Sequence, residues 1–152
     1  MADTKDNAVN ELFYITAIAP AGESALRLPS SYTKVGMVVS ETVSQSRNMI
    51  PADDKDSGTG TNVIPGRSSG SASVSGNRPK DGNAGQVILE SAYDVGTTLI
   101  YWLMSDNTIG DRALHGTGYV ESYEWGSDDE AVRTFSVNLI IQGFPTRFVI
   151  QT

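Results

Sequence analysis

Residues 134–142 read Thr-Phe-Ser-Val-Asn-Leu-Ile-Ile-Gln, and this stretch decides the fold class. Apolar side chains occupy the odd positions from Phe135 to Ile141, whereas most even positions are polar, and Arg133 is the one charge on the apolar face. Successive side chains of a strand point to opposite faces of a sheet, so a period of two residues predicts a strand with one buried face. Residues 113–125 read as the opposite arm of a long hairpin.

Five further stretches predict strands around this hairpin. Residues 12–18 are β-branched and aromatic, and residues 34–44 alternate between apolar and small or polar side chains. Residues 98–105 are apolar on both faces, which predicts burial on both sides, or burial on one side and docking to a partner on the other. Residues 66–76 are rich in serine and glycine but still alternate, which favours an edge strand or a small-residue strand. Residues 148–150 predict a short terminal strand.

One helix is predicted, ahead of the strand at 98–105. Capping side chains precede it and Gly96 follows it at a position suited to a left-handed C-terminal cap. Its apolar stripe is expected on Ile88, Ala92 and Val95, with Leu89 and Tyr93 beside the stripe. The capping segment is Asp81-Gly82-Asn83.

The connections complete a single-domain prediction for residues 1–152. Residues 1–11 form a polar N-terminal arm, and residues 45–66 lose all periodicity and predict a long loop. A turn at 126–130 holds Asp128, Asp129 and Glu130, which keep it in water. The predicted fold is mainly β, an antiparallel β-sandwich or barrel with one flanking α-helix.

The composition excludes several classes of function. The chain has 152 residues, no cysteine, one histidine and a formal net charge of −7. It therefore lacks thiol chemistry and multi-histidine metal sites, and a broad basic surface for nucleic acid is not expected. No apolar run approaches the roughly 20 residues that span a bilayer, so we expect no membrane anchor.

Three motifs are weighed against simpler interpretations. Residues 66–70 match G-x-S-x-G, but no helix follows, so a Ser68–His115–Asp triad is disfavoured. Residues 54–58 resemble a calcium loop but fail the EF-hand spacing, which leaves an irregular cation site as the lesser alternative to a solvated acidic loop. Aromatic residues predict cross-strand pairs more readily than a sugar-binding surface. These are Tyr101, Trp102, Tyr119, Tyr123 and Trp125. We expect no enzyme activity and no cofactor.

The order of these features resembles the major tail tube proteins of long-tailed phages, a family related to tube proteins of contractile injection and type VI secretion systems. The resemblance covers about residues 34–143 and depends on the order and spacing of short stretches. These are residues 37–44, 55–58, 63–66, 72–76, the helix ending near Gly96, and residues 98–105, 116–123, 133–139 and 141–143.

The resemblance implies a structural virion protein with a tail-tube fold. In that family, subunits form hexameric rings whose sheets join into an inner wall, and the rings stack into a hollow tube. A tape measure protein occupies the tube, tail terminator and baseplate or tip proteins meet its ends, and DNA passes through without specific binding. The implied location is the virion tail, after synthesis in the host cytoplasm.

The resemblance also implies an assembly site. The family's loop after the early strand reaches a neighbouring subunit or ring, and by position this is the segment 45–66. The implied contact residues are Met49, Ile50, Asp53, Asp54, Asp56, Val63 and Ile64.

Two alternatives stay open, and the net charge adds a hypothesis. A tail terminator, completion or baseplate ring protein would form one ring rather than a filament. A β-sandwich carbohydrate-binding module would use Trp102 or Trp125. An acidic inner wall would repel the DNA backbone and let the genome slide.

Overall fold

A computed structural model describes residues 12–56, 58, 60–80, 82–127 and 132–151. The predicted N-terminal arm 1–11, the acids at 128–130 and the cap residue Asp81 lie outside these residues. Seven strands are β1 (Leu12–Thr16), β2 (Thr33–Lys34), β3 (Val38–Pro51), β4 (Val63–Asn77), β5 (Ile100–Ser105), β6 (Arg112–Gly126) and β7 (Thr134–Val149). The helices are α1 (Glu23–Leu26) and α2 (Ala84–Val95), with a 3-10 turn at Pro29–Ser31.

The described strands form one antiparallel sheet in the order β2-β1-β5-β6-β7-β4-β3. This confirms the prediction of a mainly antiparallel β fold with one flanking helix. Its main core runs from Phe13 on β1, through Trp102 on β5, to Val74 on β4, so one core extends across most of the sheet. β7 follows the predicted alternation, with Phe135 and Leu139 buried.

The predicted loop at 45–66 is wrong in extent. β3 continues to Pro51 and β4 begins at Val63, so only residues 52–62 connect the two strands of a long hairpin. β4 pairs with β7 only from Ser71 to Asn77, and residues 63–70 pair with β3 alone. The part of the hairpin formed by residues 45–51 and 63–70, here called the ribbon, has both faces exposed at its end. Without a buried face there is no selection for a period of two, which explains why the sequence pattern failed.

Several other predicted boundaries are corrected. The strand at 34–44 is divided, because the chain turns at Met37, which has a φ of 58°. β4 lies between β7 and β3, so it is a small-residue strand and not an edge strand. The terminal strand at 148–150 is the end of β7, whose Val149 pairs with Arg112. Arg133 precedes β7 and is exposed, so it carries no charge onto the core face.

α2 matches the prediction closely at both ends. The side chain of Asn83 caps it by accepting a hydrogen bond from the backbone N–H of Gly85, and Gly96 adopts the left-handed conformation with a φ of 83°. Its buried face carries Leu89 and Ala92, whereas Val95 is exposed. The expected stripe was therefore rotated: Tyr93 is exposed as well, and the packed face includes Gly85 and Gln86.

β5 is buried on both faces within this chain. Trp102 faces the main core, and Leu103 faces a second cluster with Tyr14 and Phe148. The segment between β1 and β2 flanks this second cluster, since the Arg27 guanidinium lies 5.3 Å from the centre of the Phe148 ring. Of the two interpretations of this apolar strand, burial on both sides is confirmed.

Candidate assembly surface

The residues of the disfavoured triad serve separate structural roles. His115 is buried on β6, and its Nε2 lies 3.2 Å from Oε1 of Glu23. Ser68 pairs with Arg47 at the base of the ribbon. β7 separates the strand of Ser68, β4, from the strand of His115, β6, and the G-x-S-x-G match lies within β4.

The acidic segment of the β3–β4 hairpin is organised by its own backbone. Oδ1 of Asp53 accepts the Asn62 N–H at 2.6 Å, and Oδ1 of Asp54 accepts the Asp56 N–H at 3.0 Å. Within the described part of the chain, no group of three or more carboxylate, histidine or cysteine side chains is placed to hold a metal ion. These carboxylates shape the tip and give it negative charge.

The aromatic residues do not form an open sugar-binding platform. Trp102 is 0% exposed and stacks on Phe13 from the neighbouring strand, with ring centres 6.0 Å apart. Trp125 is 53% exposed, but the Arg78 guanidinium lies 4.1 Å from its ring centre and Tyr123 meets it edge-on. Trp102 is therefore a core residue and is lost to the carbohydrate-binding alternative, whereas Trp125 stays half exposed beside Arg78.

The end of the ribbon is apolar on both faces. Ile50 faces Ile64 across the two strands, and Pro51 faces Val63. Because neighbouring pairs on a ribbon point to opposite sides, these two pairs present apolar groups in both directions. The structure brings together the four apolar residues expected at the assembly site, all about half exposed: Met49, Ile50, Val63 and Ile64. A short two-stranded ribbon is marginal in water, so this end is suited to contact with other protein surface.

The base of the ribbon is attached to the body by arginines. The Arg147 guanidinium donates to Oε1 of Gln45 at 2.7 Å, and Arg47 donates to the Gly66 carbonyl at 3.0 Å. The Arg47 guanidinium also lies 5.7 Å from the ring centre of Phe144 on β7. The contacts of Arg147 with Gln45 and of Arg47 with Phe144 orient the ribbon relative to β7, whereas the bond from Arg47 to Gly66 lies within the ribbon, whose end projects.

Where β3, β4 and β7 pair, the sheet face opposite the main core is lined mainly by hydroxyl groups, a feature not predicted as a functional surface. Toward β1 and β5 the same face carries the second cluster. Ser73 donates to Asn138 at 3.2 Å, and Asn138 donates to Glu121 at 2.6 Å. On this face Glu124 pairs with Ser136, and Glu121 lies in the bulge between Val120 and Ser122, so both add negative charge. The alternation of serine from 69 to 75 was the available signal. Other members of this face, assigned by register, are Thr42, Ser44, Ser71, Ser75, Thr134 and Ser136.

Among the helices within the described ranges, none is long and apolar enough to cross a membrane.

Comparisons with known proteins point in one direction. The sequence model of a family described as phage tail tube protein matches residues 15–147. The fold is similar to the SPP1 tail tube, with a TM-score of 0.72 and 20% identity over 92% of this chain and 77% of that one. No curated protein sequence matches this chain significantly.

Two further solved structures share the fold at lower identity. A chain from the tail of an empty gene transfer agent particle, refined with C6 symmetry, has a TM-score of 0.72 and 12% identity, covering 93% of this chain and 98% of that one. A chain of a sheath/tube terminator from the PVC extracellular contractile injection system has a TM-score of 0.67 and 10% identity, covering 98% and 100%.

Proposed function

The chain belongs to the phage tail tube protein family, and from this premise we propose that it is the major tail tube subunit, a non-enzymatic protein that assembles into stacked hexameric rings. The single observation that carries the proposal is the projecting ribbon, whose end exposes apolar side chains on both faces. Obligate interfaces typically bury about 2,000 Å² or more and are rich in apolar groups, so such an end is suited to a permanent contact.

The proposed assembly site is the ribbon and its connecting segment. Ile50 and Ile64 anchor it in an adjacent subunit or ring, and Met49 and Val63 extend the apolar contact. The acids Asp53, Asp54 and Asp56 belong to the same end and give the contact its charge. Six-fold symmetry is proposed because a fold neighbour was refined with C6 symmetry.

We propose that the hydroxyl-lined face forms the wall of the conduit. Over the rows that β7 shares with β4, most of its side chains are short, polar and uncharged, with Ile140 opposite Ser71 as the apolar exception. Glu121 and Glu124 on β6 are negative. Serine and threonine hydroxyls stay neutral, while carboxylates repel phosphate, so DNA slides past without being held. A tape measure protein fills the conduit before ejection, and terminator and baseplate or tip proteins meet its ends. The subunit is made in the host cytoplasm and functions in the virion tail.

The experiment is assembly of the purified full chain, followed by size-exclusion chromatography and negative-stain electron microscopy. We expect hexameric rings and hollow tubes that lengthen with protein concentration. A chain that stays monomeric at all concentrations would contradict the proposal.

A single-ring terminator is the second candidate, because one fold neighbour is a sheath/tube terminator. Rings that never stack, under conditions that preserve the fold, would favour this candidate over the tube subunit.

A further inference from the structure

A cavity of about 240 Å³ lies between the N-terminal part of α2 and the ends of β4 and β6. Arg78 and Lys80 contribute positive charge to its walls, and Val87 and Trp125 contribute half-exposed apolar surface. Glu90 is the acidic side chain in the lining that the structure describes. Among the described lining residues, two cations therefore stand against one carboxylate beside apolar surface.

Two buried polar atoms in the cavity wall have no hydrogen-bond partner among the described residues. Gln86 is 2% exposed, and its Nε2 donates to the carbonyls of Gly36 and Asn77, while its Oε1 accepts nothing. Nε of Arg78 is also buried and donates to nothing. Because buried polar atoms are normally paired, the wall offers one acceptor and one donor that an occupant can satisfy.

The ribbon end carries the complementary chemistry at the other end of the same strand. β4 runs from Val63 at the ribbon end to Asn77, the residue before Arg78. At about 3.4 Å per residue, this strand separates the two surfaces by roughly 45 Å, so they cannot meet within one chain. Next to the apolar pairs of the ribbon end lie three aspartates and Lys55, an excess of negative charge.

We propose that this cavity receives the ribbon end of a second copy of the chain in the adjacent ring. The inference rests on the proposed tube function and names the receiving surface for the ribbon. The aspartates of the incoming end face Arg78 and Lys80, and Ile50 or Ile64 packs on Trp125 and Val87. A carboxylate satisfies the unpaired donor of Arg78, and a backbone N–H of the incoming end satisfies Oε1 of Gln86.

The placement of the two surfaces explains growth into a filament. A contact between different surfaces at opposite ends of a molecule leaves each end free for the next copy, and it grows into an open filament when its rotation does not close a ring. Stacking therefore continues from ring to ring, whereas contacts around one ring close on themselves.

The test uses charge reversal on the full chain. We expect Arg78→Glu with Lys80→Glu to leave ring formation intact and to raise the concentration needed for stacking by about tenfold or more, because interfacial charge pairs strongly affect association. Arg78 lies over Trp125 and its Nε is buried, so the double variant should melt at a lower temperature than wild type. Lys80 is exposed, so Lys80→Glu alone serves as a variant with little effect on folding. Lys80→Arg, which keeps both Arg78 and the positive charge, is the charge-conserving control and should stack.

The decisive measurement is mutual rescue. A tip variant, Asp54→Lys with Asp56→Lys, should also fail to stack alone, because its positive tip meets a positive cavity. When the tip variant is mixed with the cavity variant, rings of the two should alternate in a tube. The positive tip of one then meets the negative cavity of the other, and the negative tip meets the positive cavity. Normal stacking by the cavity variant, or failure of the mixture to form tubes, overturns the inference. If the wild-type chain forms tubes in the same experiment, the proposed tube function holds whether or not the variants support this docking site.

Discussion

Nε2 of buried His115 lies 3.2 Å from Oε1 of Glu23, and this contact joins the segment between β1 and β2 to the first part of β6. Arg27 donates to the same carboxylate at 3.0 Å and lies over Phe148. Glu23 therefore links the buried imidazole of His115 to the exposed guanidinium of Arg27, which in turn contacts Phe148 in the second cluster.

Glu23 should make the stability of the fold sensitive to acid. Hydrogen bonds from His115 first, and then from Arg27, hold the pKa of Glu23 below its ordinary value of 4.5. A lowered folded-state pKa gives stability that is present above about pH 4.5 and is lost as the pH falls through the folded-state pKa. Melting temperatures of wild type and Glu23→Gln should differ by a constant amount from pH 5 to 7 and converge in acid. A difference that persists undiminished into acid would contradict this.

Asn83 should be important for α2 because it satisfies two backbone groups. Its Oδ1 accepts the N–H of Gly85 at 3.0 Å and the N–H of Gly36 at 3.0 Å, which joins the helix start to the turn after β2. We expect Asn83→Ala to lower the free energy of unfolding by about 1–2 kcal/mol, the usual range for loss of an N-cap. Chemical denaturation measures this. Asn83→Asp, which keeps the accepting oxygen, should retain most of the stability.

Gly116 should be intolerant of a side chain. A Cβ at this position would lie 2.8 Å from Cζ2 of Trp102, whose ring is fully buried. We expect Gly116→Ala to lower the free energy of unfolding by about 1–3 kcal/mol, as overpacked cores do. Gly60→Ala is the matched control, because no atom lies within 4 Å of a Cβ there. Equal denaturation midpoints for the two variants would show that the core accommodates the methyl group.

The ribbon end should affect assembly without affecting folding. We expect Ile50→Asp to change the free energy of unfolding by less than about 0.5 kcal/mol, since the side chain is exposed, and to abolish tube formation. Ile18→Asp, the same substitution at an exposed position outside the ribbon, should assemble normally. Sedimentation of assembled material separates the two outcomes. Tubes from Ile50→Asp at wild-type yield would remove the ribbon end from the assembly site.

The predictable parts of this fold are those with one buried face or a local cap. The alternation around Val137 has a physical cause, burial on one side, and Asn83 and Gly96 act within one turn of the helix they end. The ribbon escaped prediction because both of its faces are exposed, so its side chains follow no period. The rotation of the α2 stripe toward Gly85 depends on close approach to Lys34 and Val35, which no local pattern encodes.

Of the two proposed assembly surfaces, the ribbon end was predicted from the sequence and the cavity was not. The family resemblance predicted Ile50 and Ile64 as contact residues, and the structure shows that they pair across the two strands of the ribbon. The cavity joins Arg78, Gln86 and Trp125 from three separate elements. Those residues come together only because the β6–β7 hairpin pairs with β4, and the spacing of residues in the sequence does not reveal this sheet order.

The alternation of small apolar and serine residues along β4 also fixes the position of the ribbon end relative to the core. A slip of one residue against β7 would bury serine hydroxyls and expose Ala72 and Val74, so the register is fixed by the core. The next permitted register lies two residues away, a jump of about 7 Å. Core packing therefore fixes how far the ribbon end projects, because β4 can shift against β7 only in steps of two residues. In the tube that we propose, every subunit would present its end at one height, and the filament would have a single axial spacing.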